Sequence, residues 1–227
     1  MIILTGVSGG IGKEILSKLL AMDQVIGIYN KTKPKVIAMN GFSIEKLDIT
    51  DSTAINAFVE KRRSELKKVT LINLAASSID ALAANYSELD WDKVLATNLK
   101  GDFLLTKALL PIMINERWGR IVHVSSVVGM EGRIGTIAYS TTKTGLIGMS
   151  RVLAKEYARF NITSNLLVLG YFDVGLIETL SENDQKSILD KIPSKSFGKV
   201  SNIVNAIDFL IRSPYVNGAK IAIDGGL

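Results

Sequence analysis

The first twenty residues join an apolar run, a glycine-rich turn and a helical pattern, an order that few folds accommodate. Residues 1–4 are apolar, which is typical of a buried parallel strand. Residues 5–12 then read Thr-Gly-Val-Ser-Gly-Gly-Ile-Gly. Beyond the turn, apolar side chains recur at helical spacing at Ile15, Leu16, Leu19 and Leu20. Strand, glycine turn and helix in this order predict an open α/β sheet with a ligand site at its first turn.

The turn has the composition of a phosphate-binding loop. Its glycines, Gly6, Gly10 and Gly12, follow the spacing G-x-x-x-G-x-G. Glycine allows the backbone to turn tightly and to approach a pyrophosphate, while a helix N-terminus offers free N–H groups and the positive end of a dipole. We therefore expect Gly6, Gly10, Ile11 and Gly12 to contact a dinucleotide. A glycine-rich turn without a ligand is the structural alternative.

Strand-like and helical patterns alternate through the rest of the chain, which predicts a single-domain, Rossmann-type, doubly wound parallel sheet over residues 1–227. The expected strands are residues 2–5, 25–29, 43–47, 69–74, 121–125, 162–168 and 220–223. The expected helices are residues 12–22, 52–66, 88–115, 137–159, 175–191 and 201–211. The strand order should be 3-2-1-4-5-6, with ligands bound beyond the carboxyl ends of the strands.

A second motif supplies candidate catalytic residues. Tyr139 and Lys143 are four residues apart on a predicted helix, and Ser126 lies thirteen residues before Tyr139. A lysine ammonium beside a phenol favours the phenolate, so we expect the pKa of Tyr139 to be lowered and Tyr139 to act as a general acid. Ser126 could hold the oxygen of a reacting carbonyl, and strand alternation places the neighbouring Ser125 on the opposite face. An ordinary helix surface pair is the alternative for Tyr139 and Lys143.

Composition excludes several functional classes. The chain has no cysteine and a single histidine, so thiolate catalysis is excluded and a zinc site is not expected. No metal, nucleic-acid or membrane partner is predicted, and the cytoplasm is the expected location. His123 lies in an apolar strand, and we expect a core or interface role for it. Basic residues at 31–35 and 61–68 contribute to a net charge of +5 and form either a solvated surface or a site for an acidic partner.

Together these motifs resemble the short-chain dehydrogenase/reductase family, most closely the 3-oxoacyl-[acyl-carrier-protein] reductases. The similarity runs from Thr5 to Gly226 and includes Thr97-Asn-Leu99 and Ile223-Asp-Gly-Gly226. It implies a seventh strand at the sheet edge, hydride transfer between a nicotinamide and a carbonyl, and a catalytic set of Asn98, Ser126, Tyr139 and Lys143. In the family the helix that carries the asparagine is locally distorted. A local side-chain cap is the alternative for Asn98.

The resemblance also assigns cofactor contacts along the sheet edge. Asp48 and the backbone of Ile49 would bind adenine, and a loop after the sixth strand would bind the nicotinamide. That loop departs from the family, because Leu169 and Val174 replace a proline and a carboxamide-binding threonine. The further cofactor-binding residues implied are Asn73, Leu74, Ala75, Tyr139, Lys143, Gly170 and Phe172.

The end of the second strand indicates which dinucleotide binds. An acidic residue there would select NAD, but residues 28–33 read Ile-Tyr-Asn-Lys-Thr-Lys. Lys31 or Lys33 could pair with a 2′-phosphate, and Ser8 and Asn30 could add hydrogen bonds. We therefore predict NADP(H) in preference to NAD(H), although Gly9 stands where many NADP-using relatives carry an arginine.

Three functions remain open at this point. The first is reduction of a 3-oxoacyl thioester, carried by an acyl carrier protein that would contact Arg117 and Arg159. The second keeps the chemistry but acts on a sugar, polyol or other secondary alcohol. The third is a non-catalytic dinucleotide-binding protein. The resemblance implies a homotetramer formed through the long helices at residues 88–115 and 137–159, with a dimer as the alternative. The apolar runs of these helices exceed what one buried stripe needs.

Overall fold

The computed structural model of the chain describes residues 1–34, 40–175, 177 and 180–227. Seven parallel strands form one sheet in the order β3-β2-β1-β4-β5-β6-β7, which confirms the doubly wound prediction. The strands are β1 (Ile2–Thr5), β2 (Val25–Tyr29), β3 (Phe42–Lys46), β4 (Thr70–Asn73), β5 (Gly119–Ser126), β6 (Ile162–Leu169) and β7 (Lys220–Ile223).

Helices connect the strands. They are α1 (Gly10–Leu20), α2 (Ser52–Arg62), α3 (Glu88–Leu95), α4 (Gly101–Glu116), α5 (Val127–Glu131), α6 (Ile137–Tyr157), α7 (Glu182–Lys191) and α8 (Val200–Arg212). A π-helical segment, Ala96–Lys100, joins α3 to α4, so the predicted helix at 88–115 is continuous. Short 3₁₀ turns occur at Ala83–Asn85 and Ala158–Phe160.

The predicted elements were found with shifts of a few residues at their ends. The helix predicted at 175–191 is the largest departure: α7 begins only after Ser181, whose hydroxyl accepts a hydrogen bond from the Asp184 amide. Residues 176 and 178–179 of that prediction lie outside the described residues. The same holds for residues 35–39 of the connection between β2 and β3, including Lys35 of the first basic cluster.

Apolar layers cover both faces of the sheet. On one face Ile15, Leu16 and Leu19 of α1 pack with α8, and on the other face α2 and α4 bury their own apolar stripes. In β5 the side chains alternate between the two layers: Val122 and Val124 join the α1 and α8 layer, whereas Ile121 joins the α2 and α4 layer. Because alternate strand residues share a face, His123 and Ser125 point with Ile121 toward α4 and α6.

None of the helices in the described parts of the chain is long and apolar enough to cross a membrane. Within the same parts, no group of three or more histidine, cysteine, aspartate or glutamate residues is arranged to hold a metal ion.

Candidate active site

The glycine turn brings the backbone of β1 against the end of β4. Gly6 has a φ of +70°, and a Cβ atom at this position would lie 2.9 Å from backbone atoms of Ala75. Helix α1 begins at Gly10 after Gly9, with no side-chain cap and no acidic residue in its first turn. The first amide groups of α1 therefore have no capping side chain that would compete with an anionic ligand.

Thr5 holds the ends of β1 and β4 together, a role that the sequence analysis missed. Its hydroxyl oxygen accepts hydrogen bonds from the amides of Leu74 and Ala75 at 3.0 and 2.9 Å. The same hydroxyl lies 3.4 Å from the carbonyl oxygen of Ile72, to which it donates. The threonine thus positions the backbone that faces the glycine turn. Its place directly before Gly6, at a strand end, was the available signal.

A cleft of about 750 Å³ runs along the carboxyl ends of the strands, as expected for a doubly wound sheet. Most of the predicted site residues line it. They are Gly6, Ser8, Gly10, Ile11, Gly12, Asn30, Lys31, Asp48, Ile49, Leu74, Ala75, Ser126, Tyr139, Lys143, Gly170 and Phe172. Asn73 and Asn98 instead lie behind the wall, with exposures of 1% and 0%. The roles assigned to all of these residues remain predictions.

Ser126, Tyr139 and Lys143 meet at one end of the cleft. Ser126 ends β5 and caps α5, where its hydroxyl oxygen accepts a hydrogen bond from the Val128 amide at 3.2 Å. Ser125 is buried, and its hydroxyl donates to the backbone carbonyl of Lys143 at 2.9 Å. Ser126 is therefore the serine available to a substrate, whereas the Ser125 hydroxyl joins β5 to α6 through its hydrogen bond.

Lys143 is almost completely buried, at 2% exposure. Its ammonium donates to the Val124 carbonyl at 2.7 Å and lies 5.7 Å from the centre of the Tyr139 ring. Burial lowers the pKa of Lys143, and the charge of Asp102 partly opposes this effect.

The pKa of Tyr139 is raised, which is opposite to the direction expected from the Tyr–Lys spacing. Burial is the largest cause, and the nearby charge of Asp80 adds to it. A hydrogen bond with Ser126 and the charge of Arg133 act in the lowering direction but do not outweigh burial. The spacing of Tyr139 and Lys143 accounts for the lysine charge, but the loss of water around the buried phenol has the larger effect on its pKa.

Asn98 lies in the π-helical segment, in agreement with the distortion that the resemblance implies. Its side-chain oxygen accepts from the Ser77 amide at 2.8 Å, and its side-chain nitrogen donates to the Ser77 carbonyl at 2.8 Å. The same nitrogen donates to the Thr142 hydroxyl at 3.2 Å. Asn98 thus joins the loop after β4 to the helix that carries Tyr139 and Lys143. These contacts join one loop, the π-helical segment and α6, and they do not form a local cap.

The opposite end of the cleft is open to water. Asn30, Lys31 and Asp48 are all exposed. Burial acts to raise the pKa of Asp48, but hydrogen bonds from Thr50 and Asn30 and the charge of Lys31 lower it overall. Asp51, not Asp48, caps α2, accepting hydrogen bonds from the amides of Thr53 and Ala54 at 2.9 and 3.0 Å. Asp48 therefore does not cap α2.

The loop after β6 closes the cleft on the side of Tyr139. The Phe172 side chain is buried, and a bridge pairs Phe172 with Gly198. In this bridge the Gly198 amide donates to the Tyr171 carbonyl at 2.9 Å, and the Asp173 amide donates to the Gly198 carbonyl at 3.2 Å. Val174 lines the cleft where the family carries a threonine, so this position offers a methyl group instead of a hydroxyl.

Two pairs of ionisable residues near the site were not expected from the sequence. Arg133 lines the cleft and donates to an Asp80 carboxylate oxygen at 2.7 Å, which places an ion pair at its mouth. Asp102 is buried behind the catalytic end, 3.8 Å from Nδ1 of the buried His123. His123 therefore has the core position expected for it, but with an ionisable neighbour from α4.

The candidate carrier-binding arginines lie at the amino ends of the strands, opposite the cleft. Arg117 precedes β5 and Arg159 precedes β6, and the Arg117 guanidinium donates to the Arg159 carbonyl at 3.1 Å. Ser126 is at the far end of the eight-residue β5, roughly 25 Å away by the rise of a strand. In the second basic cluster, Lys61 and Arg62 form ion pairs with Glu45, and Arg63 pairs with Glu60.

Comparison with known proteins identifies similar sequences. The short chain dehydrogenase family matches residues 1–185. A 3-oxoacyl-[acyl-carrier-protein] reductase of Thermotoga maritima is 38% identical over 226 residues, covering 98% of this chain and 87% of the relative. The enzyme of the same name from Escherichia coli is 33% identical, covering 99% of this chain and 96% of the relative. Nodulation protein G of a Rhizobium species is 31% identical, covering 99% and 95%.

Proposed function

The chain belongs to the short-chain dehydrogenase family and is an oxidoreductase that uses a nicotinamide dinucleotide, and from this premise we propose that it is an NADP(H)-dependent 3-oxoacyl thioester reductase. One observation carries the catalytic part of the proposal. Ser126, Tyr139 and Lys143 meet on the wall of a cleft whose other walls are the glycine turn and the uncapped start of α1. A dinucleotide with its pyrophosphate at that helix start fits these residues.

The proposed reaction converts a carbonyl to a secondary alcohol. A bound reduced nicotinamide supplies the hydride that goes to the carbonyl carbon. Ser126 holds the carbonyl oxygen through its hydroxyl, and Tyr139 donates its phenolic proton to that oxygen. Lys143 stabilises the tyrosinate that remains and would hold the nicotinamide ribose. Asn98 acts by fixing the backbone of Ser77 and the hydroxyl of Thr142 beside the site.

The preference for NADP(H) rests on the exposed end of the cleft. β2 ends at Tyr29, and no acidic residue follows it; instead Asn30 and Lys31 line the cleft. The Asp48 carboxylate is occupied by hydrogen bonds from the Thr50 amide and hydroxyl at 2.9 and 2.8 Å. A cation and an amide at this position suit the negatively charged 2′-phosphate of NADP(H) better than the neutral 2′-hydroxyl of NAD(H).

The substrate class is supported by the relatives named as 3-oxoacyl-[acyl-carrier-protein] reductases over nearly the whole chain. Acyl carrier protein is the proposed acidic partner. Because Arg117 and Arg159 lie at the amino ends of β5 and β6 and Ser126 lies at the carboxyl end of β5, a carrier bound to the arginines is remote from the cleft of the same subunit. We further propose a homotetramer of this one domain through α4 and α6, on which Phe103 and Val152 expose 47% and 53% of their surface.

The first experiment is cofactor oxidation with an acetoacetyl thioester, followed by the loss of reduced-nicotinamide absorbance with NADPH and NADH in parallel. Fast oxidation of NADPH with formation of the 3-hydroxyacyl thioester is the expected result. Turnover of sugars or polyols without turnover of the thioester would replace the substrate class and keep the chemistry. Tight NADPH binding with no turnover of any carbonyl would contradict the reductase itself.

Oligomeric state is a separate measurement, since it does not depend on the substrate. Light scattering is expected to give the mass of four chains. A stable monomer would contradict both the tetramer and the dimer.

A further inference from the structure

An ion pair joins two loops at the mouth of the cleft. Asp80 lies on the loop after β4, and Arg133 lies on the loop between α5 and α6. The Arg133 guanidinium donates to Oδ2 of Asp80 at 2.7 Å, and the two side chains expose 45% and 49% of their surface. Arg133 lines the same cleft as Ser126 and Tyr139, whereas Asp80 does not line it. The arginine is therefore the member of the pair that a bound substrate can reach.

Asp80 is fixed independently of Arg133. Its Oδ1 accepts a hydrogen bond from the Ser78 hydroxyl at 2.6 Å, which leaves Oδ2 for the guanidinium. The next residue, Ala81, donates its amide hydrogen to the Gly135 carbonyl at 2.9 Å, so the backbones of the two loops are also joined. Asp80 can therefore hold the guanidinium in one orientation.

The loop of Arg133 is also joined to the helix that carries Tyr139. The Thr136 hydroxyl donates to the Arg133 carbonyl at 2.7 Å and lies 2.9 Å from the Ser140 hydroxyl. Ser140 directly follows Tyr139 in α6. These contacts give the backbone of Arg133 a defined place relative to the catalytic end of the cleft.

Most of the hydrogen-bonding capacity of Arg133 is not used within the described parts of the chain. A guanidinium has five N–H donors, and the side-chain hydrogen bond that Arg133 makes to a described residue is the one to Asp80. Because the Asp80 carboxylate offsets the positive charge, the remaining donors offer directional hydrogen bonds with little net charge. Such donors suit a neutral acceptor, such as a carbonyl oxygen, better than a free carboxylate.

Other roles account for the ion pair less well. An exposed ion pair contributes little to stability. The charges of Arg133 and Asp80 act on the pKa of Tyr139 in opposite directions, so together they are poorly suited to tuning this phenol. What the pair supplies to the cleft is a set of oriented N–H donors near its mouth.

The proposed substrate carries a matching acceptor. A 3-oxoacyl thioester has a second carbonyl, that of the thioester, separated from the reacting carbonyl by a single carbon atom. Because an acyl carrier protein is too large to enter a cleft of about 750 Å³, the thioester end of a carrier-bound substrate must face the mouth. With the reacting carbonyl at Ser126 and Tyr139, the thioester carbonyl then lies on the side of Arg133.

We propose that Arg133 donates a hydrogen bond to the thioester carbonyl and thereby selects 3-oxoacyl compounds over simple ketones. Asp80 acts as a positioning residue that orients the guanidinium. This role deepens the proposed function and rests on it for the identity of the substrate.

The test compares two probes that differ by one carbonyl. The first is an acetoacetyl thioester of N-acetylcysteamine, and the second is the matching 3-oxobutyl thioether, in which a methylene replaces the thioester carbonyl. With NADPH, Arg133→Gln should lower kcat/KM for the thioester by about 10–100-fold, the loss expected for a hydrogen bond from a charged group, and leave the thioether within about twofold. Asp80→Asn should give a smaller loss in the same direction.

Arg212→Gln is the matched control. It breaks another exposed arginine–aspartate pair, with Asp208 on α8, and neither residue lines the cleft. This variant should change kcat/KM for neither probe. Arg133→Lys keeps the charge and some donors but loses the planar guanidinium, so it should recover part of the thioester activity that Arg133→Gln loses.

Binding supplies a readout that does not depend on turnover. Calorimetry is done with NADP⁺, which has no hydride to donate, so both probes stay intact. Arg133→Gln should weaken binding of the thioester by about 10–100-fold and leave binding of the thioether unchanged. Equal losses for the two probes, or no loss for either, overturn the role of Arg133. A larger loss for free acetoacetate than for the thioester would make Arg133 a carboxylate-binding residue and also overturn it.

The proposed function and the role of Arg133 can fail separately. If the unmodified protein binds the thioester but does not reduce it, the proposed function fails, while the affinities of the two probes still decide the role of Arg133. If the thioester is reduced and Arg133→Gln affects both probes equally, the proposed function stands and the role of Arg133 fails. Absence of thioester binding overturns both.

Discussion

The two ends of the cleft each present a lysine, but in opposite surroundings. Lys143 is buried and donates to the Val124 carbonyl, and burial lowers its pKa. Lys31 is exposed, and its described charged neighbour is the solvated Asp48. Because water screens charge, the ammonium of Lys31 interacts with a nearby charge much more weakly than the ammonium of Lys143 does. In the proposed function, proton transfer takes place at the buried end of the cleft, and the choice between NADP(H) and NAD(H) is made at the exposed end.

The largest effect is expected from Tyr139→Phe, at the buried end of the cleft. Removing the phenolic hydroxyl removes the proposed proton donor, so kcat should fall by about 10²–10⁴-fold, the usual contribution of a general acid. NADPH binding, measured by fluorescence or calorimetry, should be retained. Tyr157→Phe, which removes a hydroxyl from the same helix but away from the cleft, is the matched control. Activity within about tenfold of the unmodified protein would contradict the assignment of Tyr139.

Asn98→Ala should have the second-largest effect, because it removes the hydrogen bonds of Asn98 to both Ser77 and Thr142. It leaves the Ser77 amide and carbonyl without their side-chain partner and removes the donor to the Thr142 hydroxyl, at a cost of about 1–3 kcal/mol in the free energy of unfolding. Turnover should fall as well, and denaturant unfolding with steady-state kinetics measures both quantities.

Thr142→Val provides a graded comparison for this prediction. It removes one of the three Asn98 hydrogen bonds and the bond that the Thr142 hydroxyl donates to the Tyr139 carbonyl at 2.7 Å. Both bonds between Asn98 and Ser77 remain, so its loss of stability should be smaller. Equal stability in Asn98→Ala and the unmodified protein would mean that Asn98 does not hold the loop after β4.

At the exposed end of the cleft, Lys31→Ala should weaken NADPH binding by about tenfold and leave NADH binding unchanged, because the charge-assisted contact with the 2′-phosphate is lost. Lys33→Ala is the matched control, because Lys33 is exposed but is not among the residues that line the cleft. The difference between the two variants should shrink at high salt. Equal losses for NADPH and NADH, or equal effects at Lys31 and Lys33, would refute a 2′-phosphate contact by Lys31.

The smallest effect is expected from Val174→Thr, which restores the hydroxyl that the family carries at this position. One added hydrogen bond should strengthen nicotinamide binding by about 0.5–1.5 kcal/mol. Val174→Ala separates the hydroxyl from a change of packing, because it removes methyl groups without adding a donor. Unaltered cofactor affinity in Val174→Thr would show that residue 174 does not face the carboxamide.

Much of the fold was predictable because strand and helix periods are local properties of the sequence. The strands and the long helix over 88–115 follow from apolar runs and their spacing. The strand order is that of a doubly wound sheet, and the place of the seventh strand at the edge was implied by the family resemblance. Helix starts and ends moved by a few residues, since caps such as Ser181 before α7 depend on single hydrogen bonds. The tertiary contacts of Asn98 were not predictable, because its partners Ser77 and Thr142 are distant in sequence.

The sequence by itself determined the sheet, the glycine turn and the residues that gather at the carboxyl ends of the strands. Tertiary structure decided the environments of those residues. It buried Lys143, raised the pKa of Tyr139, placed Asn73 and Asn98 behind the cleft wall and left Lys31 exposed to water. The physical reason is that backbone periodicity is encoded over a few neighbouring residues, whereas burial and charge depend on side chains that meet only after the chain has folded.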